Sequence, residues 1–136
     1  MDKKPKRITS FRDLDVYQAS YASCIRIMTD LLPKLPVAEK YDLKDQLSRS
    51  VKAIPRLIAE GYAKRHQRAG FQKYLDDAMA ECNETVVGLE MCRDIYKQYL
   101  TDFPIDEMID SYDKTGRQLY KLASAWSGFK NERRSR

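Results

Sequence analysis

The sequence is short of the residues around which most enzymes and metal proteins are built. One histidine, His66, stands in 136 residues, so a His-based metal site or proton relay would have to manage with a single imidazole. Three cysteines, Cys24, Cys82 and Cys92, show no Cys-x-x-Cys spacing and cannot all pair. Each lies on or beside an apolar helical stripe, and they read as small reduced core residues of a cytoplasmic protein. Only five glycines occur, with no glycine-rich phosphate loop and no nucleophile elbow. No apolar run approaches the ~18 residues of a membrane span. The basic start, Met1 to Arg7, leads into no apolar signal region, so export is not expected. These absences lead us to expect no catalytic activity, no cofactor and no membrane partner.

What is present is helical periodicity. Ser10 is a good N-cap with Asp13 three residues on, and Leu14, Tyr17, Tyr21, Cys24/Ile25, Met28 and Leu31/Leu32 give a stripe up to Pro33. Pro33 and Pro36 force a turn. A second helix from about Ala38 to about Lys64 carries Leu43, Leu47, Val51, Ile54 and Ile58 on one face. Pro55 and Gly61 interrupt that helix against its own propensity, which predicts a kink at Pro55 held by packing. The basic connection Lys64-Arg65-His66-Gln67-Arg68 leads to a third stripe, Phe71, Leu75, Ala78, Cys82, Thr85, Leu89, Cys92, Tyr96 and Tyr99. Its 3.5-residue period favours shallow helix crossings. Pro104 opens a fourth helix with Ile105, Ile109, Tyr112, Gly116, Leu119, Leu122 or Ala123, and Trp126 inward. The expected fold is all-α, an antiparallel up-down-up-down four-helix bundle. Residues 10–129 would form its one domain, with basic flexible tails at 1–9 and 130–136. Glu81, Glu84 and Glu90 place carboxylates on the third helix, but the Glu-x-x-His pairs with which bundles hold iron are missing, so no metal is expected.

Charge is the functional clue. The net charge is +5 and the signs are segregated: acidic residues gather in the third and fourth helices, basic ones in the two tails, the second helix and its connection. Arg49, Lys52 and Arg56 fall at i, i+3 and i+7, one row on the face away from the core stripe. With Lys64, Arg65 and Arg68 they form a candidate surface for the backbone of RNA or DNA, bound by charge neutralisation without base reading. The same row could be an ordinary solvated face, an ion-paired seam between subunits, or a recruiting surface for an acidic protein. A further stripe, Gln46, Ser50, Ala53 and Leu57, lies between the core stripe and the basic row. Val16, Ser20, Ser23 and Ile27 make a similar one on the first helix. A monomeric bundle needs one buried face per helix, so these extra stripes point to self-association.

The segment Gln46 to Gly61, with Arg65, Phe71, Leu75 and Glu84, resembles the bacterial four-helix-bundle proteins that include the 23S rRNA intervening-sequence proteins. A neighbouring branch comprises the accessory proteins of diversity-generating retroelement reverse transcriptases. The shared pattern is Gln-Leu-x-Arg-Ser followed by Ser-Ile-Pro-x-Asn-Ile-Ala-Glu-Gly, here Gln46 to Ser50 and Ala53 to Gly61. Ala53 replaces its serine, Leu57 its asparagine, and Ala80-Glu81 a later Gly-Ser pair. The resemblance implies a homo-oligomer that is a ring of five protomers, and partners drawn from rRNA or a reverse transcriptase. In such a ring each basic row would be repeated around an axis, strengthening its field.

Overall fold

Ser10 caps the chain as expected, but it caps a shorter element. In the computed structural model, which describes residues 7–134 with side chains as far as Trp126, the Ser10 hydroxyl accepts the Arg12 amide at 3.2 Å. The Ser10 amide donates to the Asp13 carboxylate at 3.0 Å. This capping box closes on the single 3-10 turn Phe11–Asp13. Leu14 then leaves helical geometry, with φ −73° and ψ 128°, and the first long helix, α1, spans Asp15–Arg26. A π turn at Ile27–Leu31 and a 3-10 turn at Leu32–Lys34 end it.

Three longer helices follow: α2 (Leu43–Ala63), α3 (Arg68–Ile95) and α4 (Ile105–Arg134). Each helix packs on the next in sequence, and α4 packs back on α1. With short connections this is the expected antiparallel four-helix bundle, and the described residues contain no strand. The boundary expected at 129 falls inside α4. Lys3, Lys4, Lys6 and Arg136 lie outside the described residues.

The α2 helix starts later than Ala38 because a separate turn, Val37–Glu39, precedes it. Glu39 does the capping from there: its carboxylate accepts the Leu43 amide at 3.2 Å and the Tyr96 hydroxyl at 2.7 Å, tying the start of α2 to the end of α3. Leu43, Leu47, Val51, Ile54 and Ile58 are all buried. The helix continues through Pro55, itself buried, as one element. The cost of an interior proline, about 3 kcal/mol, is offset by the full burial of Val51, Ile54 and Ile58 on the core face of the same helix.

Close approach of α3 explains both glycines on this seam. A Cβ on Gly61 would stand 2.9 Å from Tyr74 Cβ, and one on Gly88 would stand 2.7 Å from Leu47 Cδ2. At Gly61 the obstacle is a Cβ fixed by the α3 backbone, whereas at Gly88 the end of the Leu47 side chain would have to turn aside. Along α3 the residues from Phe71 to Cys92 in the expected stripe are buried. Tyr96 lies just past the helix end and Tyr99 is half exposed in a following turn, Lys97–Tyr99.

The stripe expected on α1 needs correction. Tyr21 and Ile25 are 51% and 47% exposed, while Val16, Ser20 and Ile27, read as a second contact stripe, are in the core. Two breaks in helical register cause the difference. Leu14 belongs to the turn before the helix, and the π turn at Ile27–Leu31 rotates the end of the stripe relative to its middle. Buried Ser20 is satisfied locally, its hydroxyl donating to the Tyr17 carbonyl at 3.1 Å.

Candidate nucleic-acid interface

Helical geometry brings half of the predicted basic residues together. At about 100° per residue, Arg49, Lys52 and Arg56 span about 60° of the α2 circumference on the side opposite Val51 and Ile58, and all three are exposed. Arg49 forms an ion pair with Asp45 at 3.1 Å, both side chains being well solvated, so the pair contributes little. Lys52 and Arg56 have no ion-pair partner among the described residues. They carry uncompensated positive charge on the surface.

The other three predicted cations stand apart, at the α2–α3 end of the bundle. The Lys64 ammonium lies 5.3 Å from the Tyr74 ring centre. Arg65 donates from its guanidinium to the Tyr62 carbonyl at 2.9 Å and stacks 4.1 Å over the Tyr62 ring. Its own carbonyl accepts the Trp126 indole N–H at 3.0 Å, and Trp126 meets Phe71 edge to face at 4.9 Å. Arg68 is half buried and engaged within the protein. At this end of the bundle the Lys64 and Arg65 side chains rest on rings of α3 and α2, and the backbone of Arg65 holds α4 through Trp126.

The small stripe on α2 also divides. Gln46 is exposed and Ala53 and Leu57 are half buried, but Ser50 is buried against α3. The Ser50 and Thr85 hydroxyls are 2.8 Å apart, with the Leu47 carbonyl 3.3 Å from Ser50 and the Glu81 carbonyl 2.9 Å from Thr85. Each hydroxyl has one proton, so the chain runs either from Thr85 through Ser50 to Leu47 or in the reverse sense to Glu81. Ser50 is therefore a link between helices of one protomer and leaves the predicted oligomer surface.

Beside that link α3 presents a feature the sequence reading missed. Val87, Met91 and Ile95 are 50%, 47% and 60% exposed, at spacings of four, and Val87 and Met91 flank a cleft of about 250 Å³ shared with Gln46. The spacing was visible, but these residues flank a complete core stripe and are found only by looking for a second one.

A second missed feature lies on the other side of α2. Phe11, Tyr17 and Tyr21 face Pro55, with Lys52 and Arg56 at the lip, around a groove of about 290 Å³. Tyr17 packs on the core as its spacing predicts, whereas Tyr21 is half exposed.

The acidic side of α3 is under mild stress. Burial first, and repulsion from Glu84 second, raise the Glu81 carboxyl above its ordinary value, while Arg49 across the seam opposes the rise. Burial pushes the Cys82 and Cys92 thiols up to about 12, leaving them un-ionised near neutrality. Among the described residues no group of three His, Cys, Asp or Glu side chains is placed to hold a metal ion. No described helix is long and apolar enough to cross a membrane.

The model of the 23S rRNA-intervening sequence protein family matches residues 12–121. The chain belongs to that family. A solved structure from Bacteroides thetaiotaomicron VPI-5482, a protein of unknown function from the S23 ribosomal protein family, is similar at 25% identity. The match covers 80% of this chain and 95% of that one, with a TM-score of 0.66. None of the curated proteins matches. Family membership places Gln46 to Gly61 in context: in this fold the motif supplies the α2–α3 hydrogen bond at Ser50 and the close helix contact at Gly61.

Proposed function

We propose that this member of the family is a non-enzymatic accessory protein that binds the phosphate backbone of nucleic acid and works as a homo-oligomer. The observation that carries the reading is the exposed row of Arg49, Lys52 and Arg56, in which Lys52 and Arg56 have no ion-pair partner among the described residues. Unpaired cations on a helix face attract phosphate through counterion release without selecting a sequence. Lys64, Arg65 and Arg68 add to the field from the end of the bundle, although their side chains are partly committed within it.

Self-association is supported by the Val87, Met91 and Ile95 stripe beside Gln46, with Ala53 and Leu57 further along α2. The family resemblance puts the assembly at a ring of five protomers, in which this patch would meet a different face of the next copy. A reverse transcriptase is the protein partner expected if its gene neighbours this one, and rRNA if the gene lies within an rRNA locus.

Filter binding of the full chain to unrelated RNA and DNA sequences tests the first half, with comparable affinity expected for all at low salt. Absence of binding to either would leave the alternative, a module whose basic face recruits an acidic protein. Light scattering tests the second half: Met91→Glu should lower the mass while helical circular dichroism is retained, and a monomeric wild-type protein would contradict it.

A further inference from the structure

The turn built by Ser10 has a consequence for the face beside the basic row. By folding Phe11–Asp13 back against α1, it sets the Phe11 ring edge to face on Tyr17 at 4.9 Å. Tyr17 and Tyr21, one helical turn apart, lie 5.8 Å from each other at a 31° tilt. The Arg12 guanidinium sits 4.5 Å from the Phe11 ring centre. Three aromatic rings thus run along α1 toward α2, and half of Tyr21 is open to solvent.

The opposite wall comes from α2. Pro55 offers an apolar ring, and Lys52 and Arg56, at i and i+4, form the lip of the groove. Those two cations are about 6 Å apart along the helix. A strand whose bases are unstacked is drawn out beyond the 3.4 Å per charge of a stacked one, so successive phosphates of an extended strand fit that pitch. At about 290 Å³ the groove lies at the small end of ligand pockets, near 300 Å³, suited to one or two planar groups and too small for a folded ligand.

We infer that the α1–α2 groove is a stacking platform for single-stranded nucleic acid, with bases laid on Tyr21 and Tyr17 and phosphates held by Lys52 and Arg56. The inference rests on the backbone-binding reading above and narrows it to strands with free base faces. Cations beside exposed aromatic rings are the combination by which sequence-tolerant single-strand binders work, because every base has a π face. No carboxylate lines the groove to repel phosphate. Duplex bases are enclosed within their own stack and cannot reach Tyr21, so a duplex would touch only the cations.

Fluorescence anisotropy with a labelled oligouridine and a duplex of equal length separates the possibilities. Wild-type protein should prefer the oligouridine. Tyr21→Ala should weaken oligouridine binding about five- to a hundredfold, the range for loss of one stacked base, while leaving duplex affinity and the salt slope unchanged. Tyr21→Phe, which keeps the ring, should bind like wild type. Equal loss on both nucleic acids, or no loss on either, would overturn the platform and leave backbone binding intact. No binding of any strand by wild-type protein would remove the backbone reading itself. A fall in mass by light scattering for Tyr21→Ala would show that a second copy of the chain fills the groove, and would overturn the platform as well.

Discussion

The two flanks of α2 are built to opposite specifications. Toward α3 the seam is closed: Gly61 lies against Phe71 and Tyr74, Gly88 against Leu47, and Ser50 is hydrogen-bonded to Thr85. Toward α1 the flank opens into a groove in which an aromatic ring is half solvated beside two cations without an ion-pair partner among the described residues. The family motif serves the closed flank. The proposed ligand face lies on the open one, to which the motif contributes Pro55 and Ala59, so the proposal assigns stability and recognition to different faces of one helix.

Substitutions at matched aromatic positions should divide these flanks most sharply. Phe71→Ala, which empties a fully buried site between Gly61 and Trp126, should cost about 3–5 kcal/mol in denaturant unfolding. Tyr21→Ala on the open flank should stay within about 0.5 kcal/mol of wild type. Similar losses for the two would erase the distinction.

A smaller effect is expected where a side chain is added. Gly61→Val forces a branched side chain against Tyr74 Cβ, which the backbone of α3 holds in place, and should destabilise by about 1–3 kcal/mol. Gly61 faces α3 while the groove lies on the α1 side of the same helix, so the folded fraction should still bind nucleic acid. An unchanged midpoint would mean that α3 can move away at little cost.

Much of the closed flank was legible because α3 keeps one unbroken helical period from Phe71 to Cys92, and extrapolation along it is safe. The α1 side was not, since a turn at Leu14 and a π turn at Ile27–Leu31 change register in ways that residue spacing does not announce. Spacing therefore points Tyr21 inward along with Tyr17, which does pack on the core, and so hides the groove. Ser50 shows a different limit: a serine inside a helix suits a subunit contact or a buried hydrogen bond equally, and only the position of Thr85, far off in sequence, decides. The basic row needed nothing more than spacing. The commitment of Arg65 to Tyr62 and Trp126 depends on contacts across three elements and lay beyond it.

The smallest expected effect sharpens the electrostatics of the closed flank. The Glu81 carboxyl is raised in the folded state, by burial and then by Glu84, so the folded protein holds that proton more tightly than the unfolded chain. Stability from this group is therefore lost as pH rises through the interval above the ordinary carboxyl value, and is regained on acidification. Glu81→Gln, which mimics the protonated form, should raise the melting temperature slightly at neutral pH and leave it unchanged at a pH where both states are protonated. A lower melting temperature at neutral pH would show that attraction to Arg49 outweighs burial.

The central claim is that the exposed row of α2, with Lys52 and Arg56 at the groove and Arg49 toward α3, meets phosphate. Its most direct test is the slope of log affinity against log salt for a single strand, measured on wild-type protein and on the Arg49→Gln, Lys52→Gln, Arg56→Gln triple variant. Each lost phosphate contact should flatten the slope by about 0.7, so the account predicts a drop approaching 2 per protomer engaged, with weaker binding to every sequence alike. An unaltered slope and affinity in a folded triple variant would contradict it.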